Sequence, residues 1–288
     1  MLSWQIGAVK ITCVVETVIP FPDGTLLRDA TADALRASPW LFPHFAKEDG
    51  TLIAAVQALL VEAPGLRLLV DTCIGNDKPR HMTGGNPLAT PFLQQLADLG
   101  WSRDNVEAVL CTHLHVDHVG WNTMLLDGKW VPTFPKARYL IGKREFEHWS
   151  YEGDDEQQAI MGDSVRPIFD AGLVDLVEMD HRISPELRLR PTPGHTPGHV
   201  SLAIESEGQS AVITGDIAHH PCQMAHPEWT TGYDSDIQAA AATRAKLFAE
   251  WVDQPILVIG THYVAPTAGY VKRDGAAFRF EVQWPNSL

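Results

Sequence analysis

The segment His113-Leu114-His115-Val116-Asp117-His118 follows directly on an apolar run that ends at Cys111. Three histidines and an aspartate within six residues restrict what this chain can fold into, because such a segment must end a strand and open onto a polar site. An extended stretch puts residues two apart on one side, so His113 and His115 can reach one ion. If the chain then turns, Asp117 and His118 can face a second. Imidazole with carboxylate suits zinc, or iron and manganese, better than calcium or magnesium, which prefer all-oxygen shells.

The partners that one segment lacks recur farther along the chain. Near-continuous apolar runs at Ile53 to Val61, Leu66 to Val70, Ala108 to Cys111, Ala211 to Thr214 and Ile256 to Ile259 read as strands covered on both faces. Asp71, Asp216 and His262 each stand just beyond the end of one of them, and His195 follows a shorter strand at Leu187 to Arg190. In open α/β sheets that edge is where ligands bind.

Helical patterns lie between the strands. Leu88, Phe92, Leu96 and Leu99 mark one helix that Gly100 can stop. Ile237, Ala240, Phe248 and Trp251 mark another, with Asp234 or Ser235 as its cap. Glu62 to Leu66 reads as a hairpin turn, so mixed sheets are expected. The first twenty residues read as an initial strand and not as a signal peptide, since Lys10 interrupts their only apolar stretch.

One domain is expected over 1–288, with an N-terminal extension over 1–50, a core over 51–265 and C-terminal strands over 266–288. The net charge of −14, with no basic cluster, excludes nucleic acid as a partner of choice. No apolar run is long enough to span a membrane. Four scattered cysteines without a CxxC pair argue against thiolate zinc and against disulfides, and make a cytoplasmic location the expected one.

Taken together these residues resemble the metallo-β-lactamase superfamily, from about Ile53 to His262. The resemblance implies an α/β fold, a four-layer αββα sandwich with two facing mixed sheets. It implies two divalent metal ions, zinc first and iron or manganese as alternatives. His113, His115 and His195 would hold one ion, Asp117, His118 and His262 the other, and Asp216 would bridge them. Asp71 in Val70-Asp71-Thr72 matches the family's first motif, an aspartate that fixes the histidine loop by hydrogen bonds.

A water between two such ions loses a proton near neutral pH, which would give a hydroxide nucleophile, with Asp117 orienting it or moving its proton. The acyl-homoserine-lactone lactonases of the superfamily carry a tyrosine three residues after the bridging aspartate. This chain has His219 there, placed either to donate to a substrate oxygen or at the surface. His199 is expected in a structural turn near the metals, and the role of His220 is open.

The expected activity is hydrolysis of a small uncharged ester or lactone. Phosphotriester or aryl-halide hydrolysis is the near alternative, because the stretch Ser38 to Phe45 resembles a pocket-lining region of organophosphate-cleaving relatives. An iron-dependent thiol or persulfide dioxygenase and a non-catalytic binding relative are further readings. Trp121, three residues beyond His118, is expected to wall the pocket. A small-molecule substrate is the expected partner, and a homodimer is open.

Overall fold

The computed structural model describes residues 1–284, so the last four positions of the expected C-terminal strand segment, 285–288, lie outside the described residues. Fifteen strands occur among them: β1 (Ser3–Ile6), β2 (Val9–Phe21), β3 (Leu52–Ala63), β4 (Leu66–Val70), β5 (Ala108–Cys111), β6 (Thr123–Leu126), β7 (Lys129–Pro132), β8 (Arg138–Gly142), β9 (Val174–Val177), β10 (Leu187–Pro191), β11 (Val200–Ser206), β12 (Gln209–Ile213), β13 (Ile256–Ile259), β14 (Ala268–Asp274) and β15 (Ala277–Val282). One sheet runs β1-β2-β3-β4-β5-β8-β9 and a second β10-β11-β12-β13-β14-β15, while β6 and β7 form a separate hairpin. Both large sheets are mixed: β4, β5, β8 and β9 pair in parallel in the first, β12 and β13 in the second, and the other pairs are antiparallel.

Strand alternation explains why the runs are apolar throughout. Leu59, Val61, Leu68, Val70 and Leu110 point to one side and pack against Leu202, Ile204, Ile213, Leu257 and Ile259 of the facing sheet. Their neighbours Leu60, Leu69, Val109 and Cys111 point the other way, into a core shared with Phe92, Leu96, Trp149 and Ile168 of outer helices. On the second sheet Val212, Val258 and Phe280 meet Leu247, Phe248 and Trp251 of the helix Ile237–Trp251. Two sheets face to face with helices outside each make the expected four layers. Among the described residues no helix is long and apolar enough to cross a membrane.

Three local expectations are corrected. The initial segment is a hairpin of β1 and β2, turned at Gly7 (φ 54°), where a Cβ would lie 2.4 Å from the Ser206 carbonyl oxygen. Leu88 is not helical. The helix spans Phe92–Asp98 with Pro91 at its N-cap, and Leu88 bridges to Asn76 instead. The cap of Ile237–Trp251 is Asp236, whose side chain accepts from the Ala239 N–H; Asp234 and Ser235 have other partners. All four cysteines are buried and free, and burial pushes the Cys13 and Cys111 thiols up to about 12.

Candidate metal centre

The parallel part of each sheet carries the site. β4 ends in Asp71, β5 in the Thr112 to His118 loop, β12 in Asp216 and β13 in His262, while the turn between β10 and β11 holds His195. Asp71 has a left-handed backbone (φ 57°) that swings its carboxylate under the neighbouring loop. There it accepts from the Thr112 N–H at 2.8 Å and the Thr112 hydroxyl at 2.9 Å, and Oδ2 lies 2.9 Å from His118 Nδ1. A carboxylate only accepts, so the His118 ring carries its proton on Nδ1 and turns Nε2 inward.

The same logic orients three more rings. His262 Nδ1 donates to the Ala55 carbonyl at 2.8 Å, and His195 Nδ1 donates to Asp234 at 2.9 Å. Thr112 spends its hydroxyl proton on Asp71, so His113 Nδ1 donates to the Thr112 oxygen at 3.2 Å. Four rings therefore present Nε2 to a common centre, and His115 presents Nδ1. His195 Nε2 lies 3.2 Å from His113 Nε2 and 2.8 Å from His115 Nδ1, and the latter two are 3.1 Å apart.

Asp117 completes a second group, with carboxylate oxygens 3.5 Å from His118 Nε2 and 3.6 Å from His262 Nε2. Asp216 Oδ2 stands between the groups, 3.0 Å from His262, 3.3 Å from His118, 3.5 Å from His195 and 3.8 Å from His113. All seven residues expected as ligands thus converge, and the sets His113–His115–His195, His113–His118–Asp216 and Asp117–His118–His262 each have the spacing to hold one ion.

His219 joins this cluster, with Nε2 3.2 Å from Asp216 Oδ2 and its ring stacked parallel to His262. It forms a further possible ligand set with His195 and Asp216. His199 lies behind, its Nε2 accepting the Asp216 N–H at 2.7 Å while Nδ1 bonds Thr192. His220 ties its Nε2 to the Phe45 carbonyl at 2.8 Å, away from the cluster.

The electrostatics call for positive charge at the centre. Burial works to discharge the His262 ring, but Asp216 outweighs it and pushes the pKa up to about 9. The same contest, with Asp216, Asp71 and Asp117 opposing burial, holds His118 well above its ordinary value. Burial would raise Asp216, yet His118 and His262 hold it well below the usual carboxylate range. For the other three rings burial wins, helped by the neighbouring histidines, and His115 falls to about 4 with His113 and His195 well below normal.

Sequence reasoning missed two buried carboxylates that hold the loops. Asp234 backs His195, and Glu145 accepts from the Leu114 and Gly198 N–H groups and the Thr196 hydroxyl, joining the two histidine loops. In the sequence Glu145 lies in the charged helix Lys143–Tyr151 and gives no sign of burial.

A cavity of about 640 Å³ opens over the cluster. Its floor includes His115, Asp117, His219 and His262, its walls are largely apolar (Ile19, Phe21, Val56, Met82, Trp149, Ile160), and among the described residues no Lys or Arg lines it. Trp121 is not among the walls, which corrects the expectation. Gly120 passes so close under Ile74 that a Cβ would lie 1.8 Å from its carbonyl oxygen, and this directs Trp121 into the outer core. There it stacks on Phe92 and donates to Glu16 at 2.6 Å. Ser38 to Phe45 is likewise absent from the cavity: Leu41 and Phe45 are buried in the core of the second sheet, and the N-terminal wall comes from β2 and Leu26.

Histidine and aspartate donors gathered where two facing mixed sheets end define a class of metal-site αββα proteins. The chain belongs to the metallo-beta-lactamase superfamily, whose family model matches residues 54–262. It is 26% identical over 166 residues to an N-acyl homoserine lactonase of Bacillus cereus, an alignment covering 57% of this chain and 59% of that protein. The chain therefore spans less than two thirds of the length of the curated relatives it matches. Among solved structures it resembles a hydrolase of the beta lactamase superfamily, AbOPH (TM-score 0.80, 24% identity, 100% of this chain and 97% of that one). It also resembles AidC, a dizinc quorum-quenching lactonase solved with the product N-hexanoyl-L-homoserine (TM-score 0.80, 20% identity, 99% and 97% covered). At such identities these likenesses establish the fold.

Proposed function

We propose that this chain is a metal-dependent hydrolase that holds two divalent cations, zinc by preference, and cleaves a small uncharged ester or lactone. The observation that carries the reading is the convergence of ring nitrogens. His113, His115 and His195 bring three of them within 3.2 Å of one another, the Nδ1 partners of His113 and His195 leave both Nε2 atoms free to ligate, and such a trio has the spacing to hold one cation. Among the described residues, buried His118 Nε2 and Asp216 Oδ1 have no hydrogen-bond partner, which fits the same explanation.

His113, His115 and His195 would hold one ion, Asp117, His118 and His262 the other, with Asp216 between them. Bound there, the ions supply Lewis acidity toward a substrate oxygen and bring the pKa of a water toward neutrality, effects worth several kcal/mol. The chain's own groups do the rest. Asp117, half-buried at the cavity floor, takes the proton released as the acyl bond is attacked, and His219, on the same floor beside Asp216, orients the substrate oxygen. Asp71 keeps His118 in the required tautomer. The apolar walls take an acyl or aryl group, and the absence of Lys and Arg from the lining disfavours an anionic substrate.

Uncharged phosphotriesters meet the same cavity requirements and are the second reading. Elemental analysis of purified protein, together with turnover of lactones, esters, thioesters and phosphotriesters, tests the proposal. Two zinc ions per chain with hydrolysis of a neutral ester or lactone is the expected result. One iron per chain, with oxygen consumption and no hydrolysis, would overturn it in favour of a dioxygenase.

A further inference from the structure

Each of the two ligand groups contains one imidazole backed by a buried carboxylate: His118 by Asp71 and His195 by Asp234. Asp234 lies in the loop before the helix Ile237–Trp251, and its side chain is fully buried. The helix-cap role near it belongs to Asp236, so capping does not account for Asp234. Its Oδ1 receives the His195 Nδ1 proton at 2.9 Å, while Oδ2 accepts the Thr231 N–H and faces Arg244 Nη2 at 3.8 Å.

Arg244 is also fully buried, on the inner side of that helix. Its Nε donates to the Ile217 carbonyl at 2.6 Å and Nη1 to the Pro227 and Trp229 carbonyls at 2.7 Å each. One guanidinium thus pins the backbone immediately after Asp216 and supplies the counter-charge to the carboxylate behind His195. A buried pair of this kind is weak support for stability, since its desolvation offsets much of its attraction. A carboxylate behind a metal-binding imidazole fixes the ring and makes it a better donor.

We propose that Asp234, with Arg244 as its counter-charge, is the positioning residue that holds His195 with Nε2 toward the centre and sets how tightly the His113–His115–His195 group keeps its cation. This rests on the metal-binding reading above. The Asp117–His118–His262 group has its own carboxylate in Asp71, so the effect of Asp234 falls on one ion of the two.

Chelator competition for zinc with the parent protein and Asp234→Asn tests this, with circular dichroism and melting temperature recorded on both. Asparagine keeps an acceptor oxygen at the same place and removes the charge. The expected result is that one of two zinc affinities falls roughly 10–100-fold while the other is unchanged. The visible spectrum of the cobalt-substituted variant should change for one ion only. A variant that keeps both affinities, or loses both equally along with its melting temperature, would sink the inference. If the variant fails to fold, zinc-loaded parent protein decides alone: nitrogen NMR must find the ring proton of His195 on Nδ1, and a proton on Nε2 rules the proposal out. Parent protein that takes up no zinc removes the metal reading and this inference with it, whereas two zinc ions in both proteins, equally tight, remove this inference only.

Discussion

His118 turns Nε2 to within 3.3 Å of Asp216 Oδ2, yet that fully buried nitrogen finds no hydrogen-bond partner among the described residues. Asp216 Oδ1 is likewise buried without one, and in the proposed enzyme a cation is the partner of both residues. Asp216→Ala removes the oxygen that faces both ligand groups. At least one of the two ions should be lost on elemental analysis, and turnover should fall more than about a hundredfold, beyond the range seen when a group behind a ligand is removed. Retained activity with a full metal complement would undo the assignment of Asp216 as the bridge.

When a chelator has removed any cation, protons on His118 and His262 must supply the positive charge that Asp216 faces. The sign follows from His262, whose pKa is raised in the folded protein from 6.5 to about 9. A raised value means that the folded state binds the proton more tightly, so the stabilisation is complete below pH 6.5 and disappears as the pH rises through about 9. Chelated protein should lose melting temperature across that window. Zinc-loaded protein should not, because its ligands are already deprotonated. Equal pH dependence of the two forms in scanning calorimetry would contradict this account.

Much of this is legible in the amino-acid sequence. β4, β5 and β13 coincide with apolar runs read from the sequence, because strands covered on both faces leave an unbroken hydrophobic record. The seven ligand candidates could be found because each follows a strand or a sharp turn. What stayed hidden is what tertiary approach decides. Glu145 is a charged residue on a helix and Asp234 one in the loop before another, and such residues are usually solvated; only the packing of distant loops against them reveals burial. Cavity walls such as Ile19 and Met82 come from segments with no common local signal.

The direction of Trp121 is the clearest such case, and it yields a contrast. Trp121 is 5% exposed, stacked on Phe92 and bonded to buried Glu16, so Trp121→Ala should cost roughly 3–5 kcal/mol in denaturant unfolding. Its relative preference among substrates should not move. Met82→Trp adds bulk to the cavity wall and should do the opposite, raising KM most for the longest acyl groups at little cost in stability. A shift in substrate preference with Trp121→Ala would restore that side chain to the pocket.

Glu145 offers a sharper test of how the site is held. Its carboxylate is 1% exposed and receives four donors: the Leu114 N–H at 3.1 Å, the Trp149 indole at 2.6 Å, the Thr196 hydroxyl at 2.7 Å and the Gly198 N–H at 3.0 Å. Leu114 lies between His113 and His115, and Thr196 follows His195, so one side chain holds both loops of the first ligand group. Burial raises its pKa, but the four donors act against that and favour the charged form. Glutamine has the same shape, yet its NH₂ cannot accept, so two of the four donors lose their partner. At about 1–3 kcal/mol for each buried group left unpaired, Glu145→Gln should be clearly destabilised in denaturant unfolding and should bind zinc more weakly. If the variant instead matches the parent in both respects, the native side chain is the neutral acid, and a clamp built on a carboxylate is the wrong description of this contact.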